Sequence, residues 1–158
     1  MGFGCPGYTA WMRLNVFRFP IVLVLVLAAA LPQWAAAADI QITQAWARPT
    51  PPTAQVGAVY FSVKNSGAKD DELLAVSSSA AASVEIHETQ TVNGMMQMRQ
   101  VASVSCPAGA TLKVEPGGLH VMLLGLKQPL MEGSRVDLTL RFRDAGVLSI
   151  QVPIRNGP

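Results

Sequence analysis

The chain has 158 residues, half of them hydrophobic, with twelve Lys and Arg against ten Asp and Glu and only two cysteines. Such a length holds one domain after any leader, and two cysteines exclude a disulfide scaffold. A near-neutral balance without a Lys/Arg stripe gives no electrostatic reason to expect nucleic acid as a partner.

Met1 to about Ala38 has the three parts of a secretory signal. Arg13 and Arg18 form a basic region, Ile21 to Leu31 is almost wholly aliphatic, and Ala36-Ala37-Ala38 offers small residues for cleavage before Asp39. The apolar run falls short of the roughly 20 residues that a membrane span needs, so no stable membrane insertion is expected. Met12, just before Arg13, offers an alternative start. Cys5 precedes the apolar stretch, where it cannot carry the lipid that follows a lipoprotein signal. We therefore expect residues 1–38 to be a signal peptide and residues 39–158 to be one free, exported domain. Losing Arg13 and Arg18 leaves ten basic residues against ten acidic ones, so the apparent positive charge disappears.

From Asp39 onward, short segments rich in Val, Ile, Leu and Thr alternate with turn residues every eight to twelve positions, which predicts an all-β sandwich or barrel. The predicted strands are Ile40 to Ala47, Gly57 to Lys64, Glu72 to Ser78, Ser83 to Thr89, Met96 to Val101, Thr111 to Val114, His120 to Leu124, Arg135 to Arg143 and Val147 to Ile154. Pro49-Thr50-Pro51-Pro52, Asn65-Ser66-Gly67, Asn93-Gly94 and Pro116-Gly117-Gly118 break them. Ser77 to Ser83 reads as a connection, with room for one helical turn at Ala80 to Ala82. Val104-Ser105-Cys106-Pro107 reads as a strand end, and Cys106 as a small buried hydrophobe ahead of a thiolate ligand or redox partner.

The only two histidines stand in a fixed pattern with methionines: His87, ten residues, Met98, twenty-one residues, then His120-Val121-Met122. Imidazole and thioether are borderline and soft donors that suit monovalent copper, and neither brings a negative charge. Zinc prefers thiolate, imidazole or carboxylate, and a blue-copper centre needs a cysteine beside two histidines, which Cys106 does not provide. Period-two geometry puts His120 and Met122 on one face, and Met96 and Met98 on another shared face. Asn93-Gly94 is a hairpin signal that sets the strand of His87 antiparallel to that of Met96 and Met98. Each residue also has an ordinary reading. Alternating methionines are usually core filler, His87 between Glu85 and Glu88 reads as a surface residue, His120 reads as a hydrogen-bonded core histidine, and Met131 is a loop residue. The combination in three short segments is what points to a metal.

At these residues the sequence resembles the periplasmic copper chaperones of the Cu(A)-centre type, PCu(A)C-like proteins with the spacing His-(Met)-x10-Met-x21-His-x-Met. His87, Met98, His120 and Met122 match it, and the likeness extends through Ala45-Trp46-Ala47-Arg48, Val84 to Glu88 and Pro116 to Leu126. The resemblance implies a cupredoxin-like Greek-key β-sandwich in the periplasm. It would bind one Cu(I) and pass it to cytochrome c oxidase assembly, either to an oxidase subunit or through a partner copper chaperone. Thr89 departs from relatives that carry a methionine two residues after the first histidine, and Met96 is the candidate additional ligand in its place. Some relatives use a His- and Met-rich tail for a second ion; Val152 to Pro158 holds neither residue, so a second site is not expected. We expect a monomeric, soluble carrier and not an enzyme, since nothing near either histidine marks a nucleophile with a base and an orienting acid. Copper storage or resistance, and a β-sandwich that merely packs its methionines, are the competing readings.

Overall fold

Alternating apolar residues drive this chain into ten strands, which a computed structural model describes for residues 39–158 together with Met1. The segment read as a signal peptide, Cys5 included, lies outside the described residues. In chain order the strands are β1 (Ile40–Ala47), β2 (Val56–Asn65), β3 (Asp71–Ser77), β4 (Ala81–Val92), β5 (Met95–Gln100), β6 (Val104–Cys106), β7 (Thr111–Val114), β8 (Leu119–Leu126), β9 (Arg135–Phe142) and β10 (Val147–Pro153). No helix occurs among the described residues, so none there is long and apolar enough to cross a membrane.

The strands form two antiparallel sheets. The larger has the order β1-β2-β8-β4-β5, with β7 also on β2; the smaller runs β10-β9-β3-β6. Neighbours such as β8 and β4 are far apart in sequence, as the long connections of a Greek-key sandwich require. Between the sheets lie Val59, Phe61 and Val63 of β2, Val121 and Leu123 of β8, and Ile86 of β4. They pack on Leu73, Leu138, Leu140, Phe142 and Val152 of the other sheet. Burial strictly alternates along β9 at Val136, Leu138, Leu140 and Phe142, as a half-buried strand demands. Truncating a fully buried residue such as Leu123 to Ala would cost about 2–5 kcal/mol.

Two details correct the expectations from sequence. Ala80 to Ala82 forms no helical turn, because Ala81 already pairs with Leu126 as the start of β4. Val104–Cys106 is a separate strand on the edge of the smaller sheet, where Cys106 pairs with Asp71 and is buried.

One irregularity positions the candidate site. β8 pairs with Val56–Val59 of β2, and β7 pairs with Phe61–Lys64 on the same side, both antiparallel to it. The residues from Glu115 to His120 must therefore fit opposite the single residue Tyr60, so Glu115 to Gly118 loop out of the sheet before Leu119 and His120 rejoin it beside Glu88 and His87 of β4. Bonds from Glu115 N–H to Leu119 O (2.7 Å) and from Gly118 N–H to Glu115 O (3.2 Å) close the excursion. Gly117 sits at φ +83°, a left-handed conformation that glycine adopts without steric cost.

Candidate metal centre

β4 carries one histidine and β8 the other, and their register makes them direct partners: His87 stands opposite His120, Ile86 opposite Val121, and Glu85 opposite Met122. Since Ile86 and Val121 enter the core, period two turns Glu85, His87, His120 and Met122 to the outer face of the larger sheet. The Asn93-Gly94 turn has φ of +52° and +77°, the type I′ signature, and returns β5 beside β4. Met98 thus lies opposite Thr89, and Met96 opposite Thr91, on the same outer face.

This places all five candidate ligands on one face of three adjacent strands. The core-filler reading of Met96 and Met98 does not hold, because they are 70% and 64% exposed at the sheet edge. Met122 is half-buried and His120 is 8% exposed. Met131 is an exposed loop residue, as expected. A hollow of about 390 Å³ is lined by Thr89, Met96, Met98, His120, Tyr60 and Arg48. A second, of about 340 Å³, holds Met122 and shares His120, Tyr60 and Arg48 with the first.

The imidazoles have free lone pairs. The ring centres are 6.0 Å apart with planes inclined by 54°. A metal–nitrogen bond of about 2.0 Å and a ring radius of about 1.2 Å put two rings that share one ion within about 6.4 Å, so the observed separation of 6.0 Å fits. His87 Nε2 donates to Glu85 Oε2 at 2.8 Å, and His120 Nδ1 donates to Gly118 O at 2.9 Å. The same carbonyl accepts Thr89 N–H at 3.1 Å, which ties the glycine excursion to β4. His87 Nδ1 is buried without a hydrogen-bond partner, a condition that costs about 1–3 kcal/mol unless something binds there.

Among the described residues, no three His, Cys, Asp or Glu side chains converge as a metal site. The further donors that share the outer face with the two imidazoles are the thioethers of Met96, Met98 and Met122. Cys106 takes no part, because it is buried on the smaller sheet. A hollow lined by Asp39, Asp70, Asp71 and Asp144 is structural, since its buried carboxylate, Asp71, already accepts N–H bonds from Glu72, Asp144 and Ala145. Sequence reasoning missed Glu85, Gly118, Tyr60 and Arg48. Of these, Glu85 left a signal, two positions before His87 and hence on its face, and Gly118 left one in the Pro116-Gly117-Gly118 breaker just before His120.

Known proteins share this framework. The chain is 38% identical over 118 residues to Lxx21020 of Leifsonia xyli subsp. xyli, which bears a lipoprotein name, covering 74% of this chain and 70% of that one. It is 30% identical over 125 residues to RP573 of Rickettsia prowazekii, covering 77% and 69%. Among solved structures, the copper-bound PCuAC domain from PmoF2 superposes with a TM-score of 0.63 at 25% identity over 76% of this chain and 94% of that domain. The solution structure of CuI-DR1885 from Deinococcus radiodurans gives 0.61 at 30% identity over 77% and 83%. The family model of LpqE-like lipoproteins matches residues 40–154. With that match spanning every strand of the sandwich, the chain belongs to the LpqE-like family.

Proposed function

We propose that this protein is an exported Cu(I) metallochaperone, which binds one ion through His87, His120, Met98 and Met122, with Met96 as an additional donor. The carrying observation is the direct cross-strand pairing of His87 and His120, each with one nitrogen braced and the other free. Structural likeness to the copper-bound PCuAC domain from PmoF2 and to CuI-DR1885 supports the same cargo here. Neutral donors leave the ion its positive charge and favour Cu(I) over Cu(II).

The donors are unequal in a way that serves delivery. Both histidines are held by hydrogen bonds, whereas Met96 and Met98 are exposed on an edge strand without such anchors. Thioethers therefore exchange first, one at a time, and an acceptor's soft donors enter from the β5 side. Storage would be served better by enclosed sulfur. The acceptor we propose is cytochrome c oxidase assembly in the periplasm, reached directly or through a partner chaperone, with residues 1–38 removed as the signal peptide and the mature domain acting as a monomer without enzymatic activity.

An anaerobic Cu(I) titration against a competing chelator, with X-ray absorption on the loaded protein, tests the site. One tight equivalent with mixed nitrogen and sulfur scattering is expected. Absence of binding beyond the chelator's would return the methionines to a packing or surface role.

A further inference from the structure

Two acceptors stand behind the two imidazoles, and they engage opposite nitrogens. The Glu85 carboxylate takes Nε2 of His87, and the Gly118 carbonyl takes Nδ1 of His120. Neither an ionised carboxylate nor a carbonyl can donate, so each of those nitrogens carries the proton. In the neutral rings the lone pairs then fall on Nδ1 of His87 and Nε2 of His120. The buried, unpartnered Nδ1 of His87 is the nitrogen this argument frees.

We propose that Glu85 is a positioning residue of the metal centre: it fixes His87 as an Nδ1 ligand, so that the ion is held by Nδ1 of one histidine and Nε2 of the other. The geometry makes the role specific. Glu85 lies on the same face of β4 as His87 and directly opposite Met122, so it touches one candidate ligand and flanks another. Its side chain is 29% exposed, which shields the bond from competing water. A carboxylate behind a ligating imidazole orients the ring and raises its basicity.

The proposal rests on the copper reading only for its second readout. The first uses the whole exported protein without metal, labelled with ¹⁵N at histidine, at about pH 8.5, two units above the ordinary imidazole value. Long-range proton–nitrogen correlation is expected to show Nε2–H at His87 and Nδ1–H at His120. Glu85→Ala should give His87 a mixture of tautomers, leave His120 unchanged, and lower Cu(I) affinity about 10–100-fold. Glu85→Gln, whose amide oxygen accepts the same bond, should recover most of both effects. An Nδ1–H tautomer at wild-type His87, or a Glu85→Ala protein with unaltered tautomer and affinity, overturns the assignment. A wild type that binds no Cu(I) but shows the expected tautomers upholds the placement of Glu85 and sinks the copper reading alone.

Discussion

His87 and His120 face each other across β4 and β8 with ring centres 6.0 Å apart, although thirty-two residues of chain lie between them. Because the pairing is carried by the sheet ladder and by Ile86 and Val121 in the core, removing one ring leaves the scaffold in place. His120→Ala and His87→Ala are each expected to weaken Cu(I) binding by more than the roughly 10–100-fold that an outer-shell loss costs. Chelator competition with a parallel thermal melt measures both effects. His120→Ala with wild-type affinity would remove the histidine pair from the site.

The methionine edge makes a second, graded expectation. Thr89 lies opposite Met98 and lines the same hollow as Met96 and His120. Met98→Leu keeps the volume and removes the sulfur, so it should lower Cu(I) affinity with no change in stability. Thr89→Met adds a soft donor at that spot and should raise affinity by about three- to tenfold, up to about 1.4 kcal/mol. Met131→Ala should do neither. The series is read by the same titration, and an effect of Met131→Ala equal to that of Met98→Leu would mean that exposed sulfur binds copper nonspecifically.

How far the sequence goes can be judged on these residues. The hairpin was legible because Asn93-Gly94 specifies its own turn, and the pairing of Met98 with Thr89 follows from a two-residue loop by counting. The parity of His120 and Met122 was legible because alternation reports faces. Alternation does not report whether a face is covered, so the exposure of Met96 and Met98 required the structure. The opposition of His87 to His120, and the placing of Tyr60 beside the Gly117 excursion, depend on register between strands distant in the chain, for which no local signal exists. Val104–Cys106 was legible only as a strand end, because three residues are too few for alternation to mark out a strand of their own.

Cys106 gives a negative control. Burial pushes its thiol above the ordinary range, and the nearby Asp71 and Glu72 carboxylates push the same way, outweighing a hydrogen bond from the Leu73 backbone. The thiolate that would react or bind metal is thus suppressed. In the native protein at pH 8, a disulfide reagent should react at a negligible rate and reach one equivalent only after denaturant is added. Cys106→Ala should bind Cu(I) as the wild type does. Rapid native labelling would show that the smaller sheet opens at its edge.

Asp71 predicts how the fold responds to acid. Its carboxyl is buried between β3 and the β9–β10 turn, and burial alone would raise its pKa. Backbone N–H donors from Asp144, Glu72 and Ala145, together with the Arg143 guanidinium, more than reverse that and hold it below the usual carboxylate value of 3.8. A carboxylate with a depressed folded-state pKa contributes stability that is complete above the unfolded value and vanishes as pH falls through the folded one. Asp71→Asn keeps the shape but turns an amide N–H toward backbone donors, at a cost of about 1–3 kcal/mol at neutral pH. Urea unfolding at neutral pH and at steps below pH 4 should show the wild-type advantage intact at the first and shrinking through the second. A difference that stays constant to the lowest pH would mean that Asp71 acts by shape alone, and that its charge does not hold the β9–β10 turn against β3.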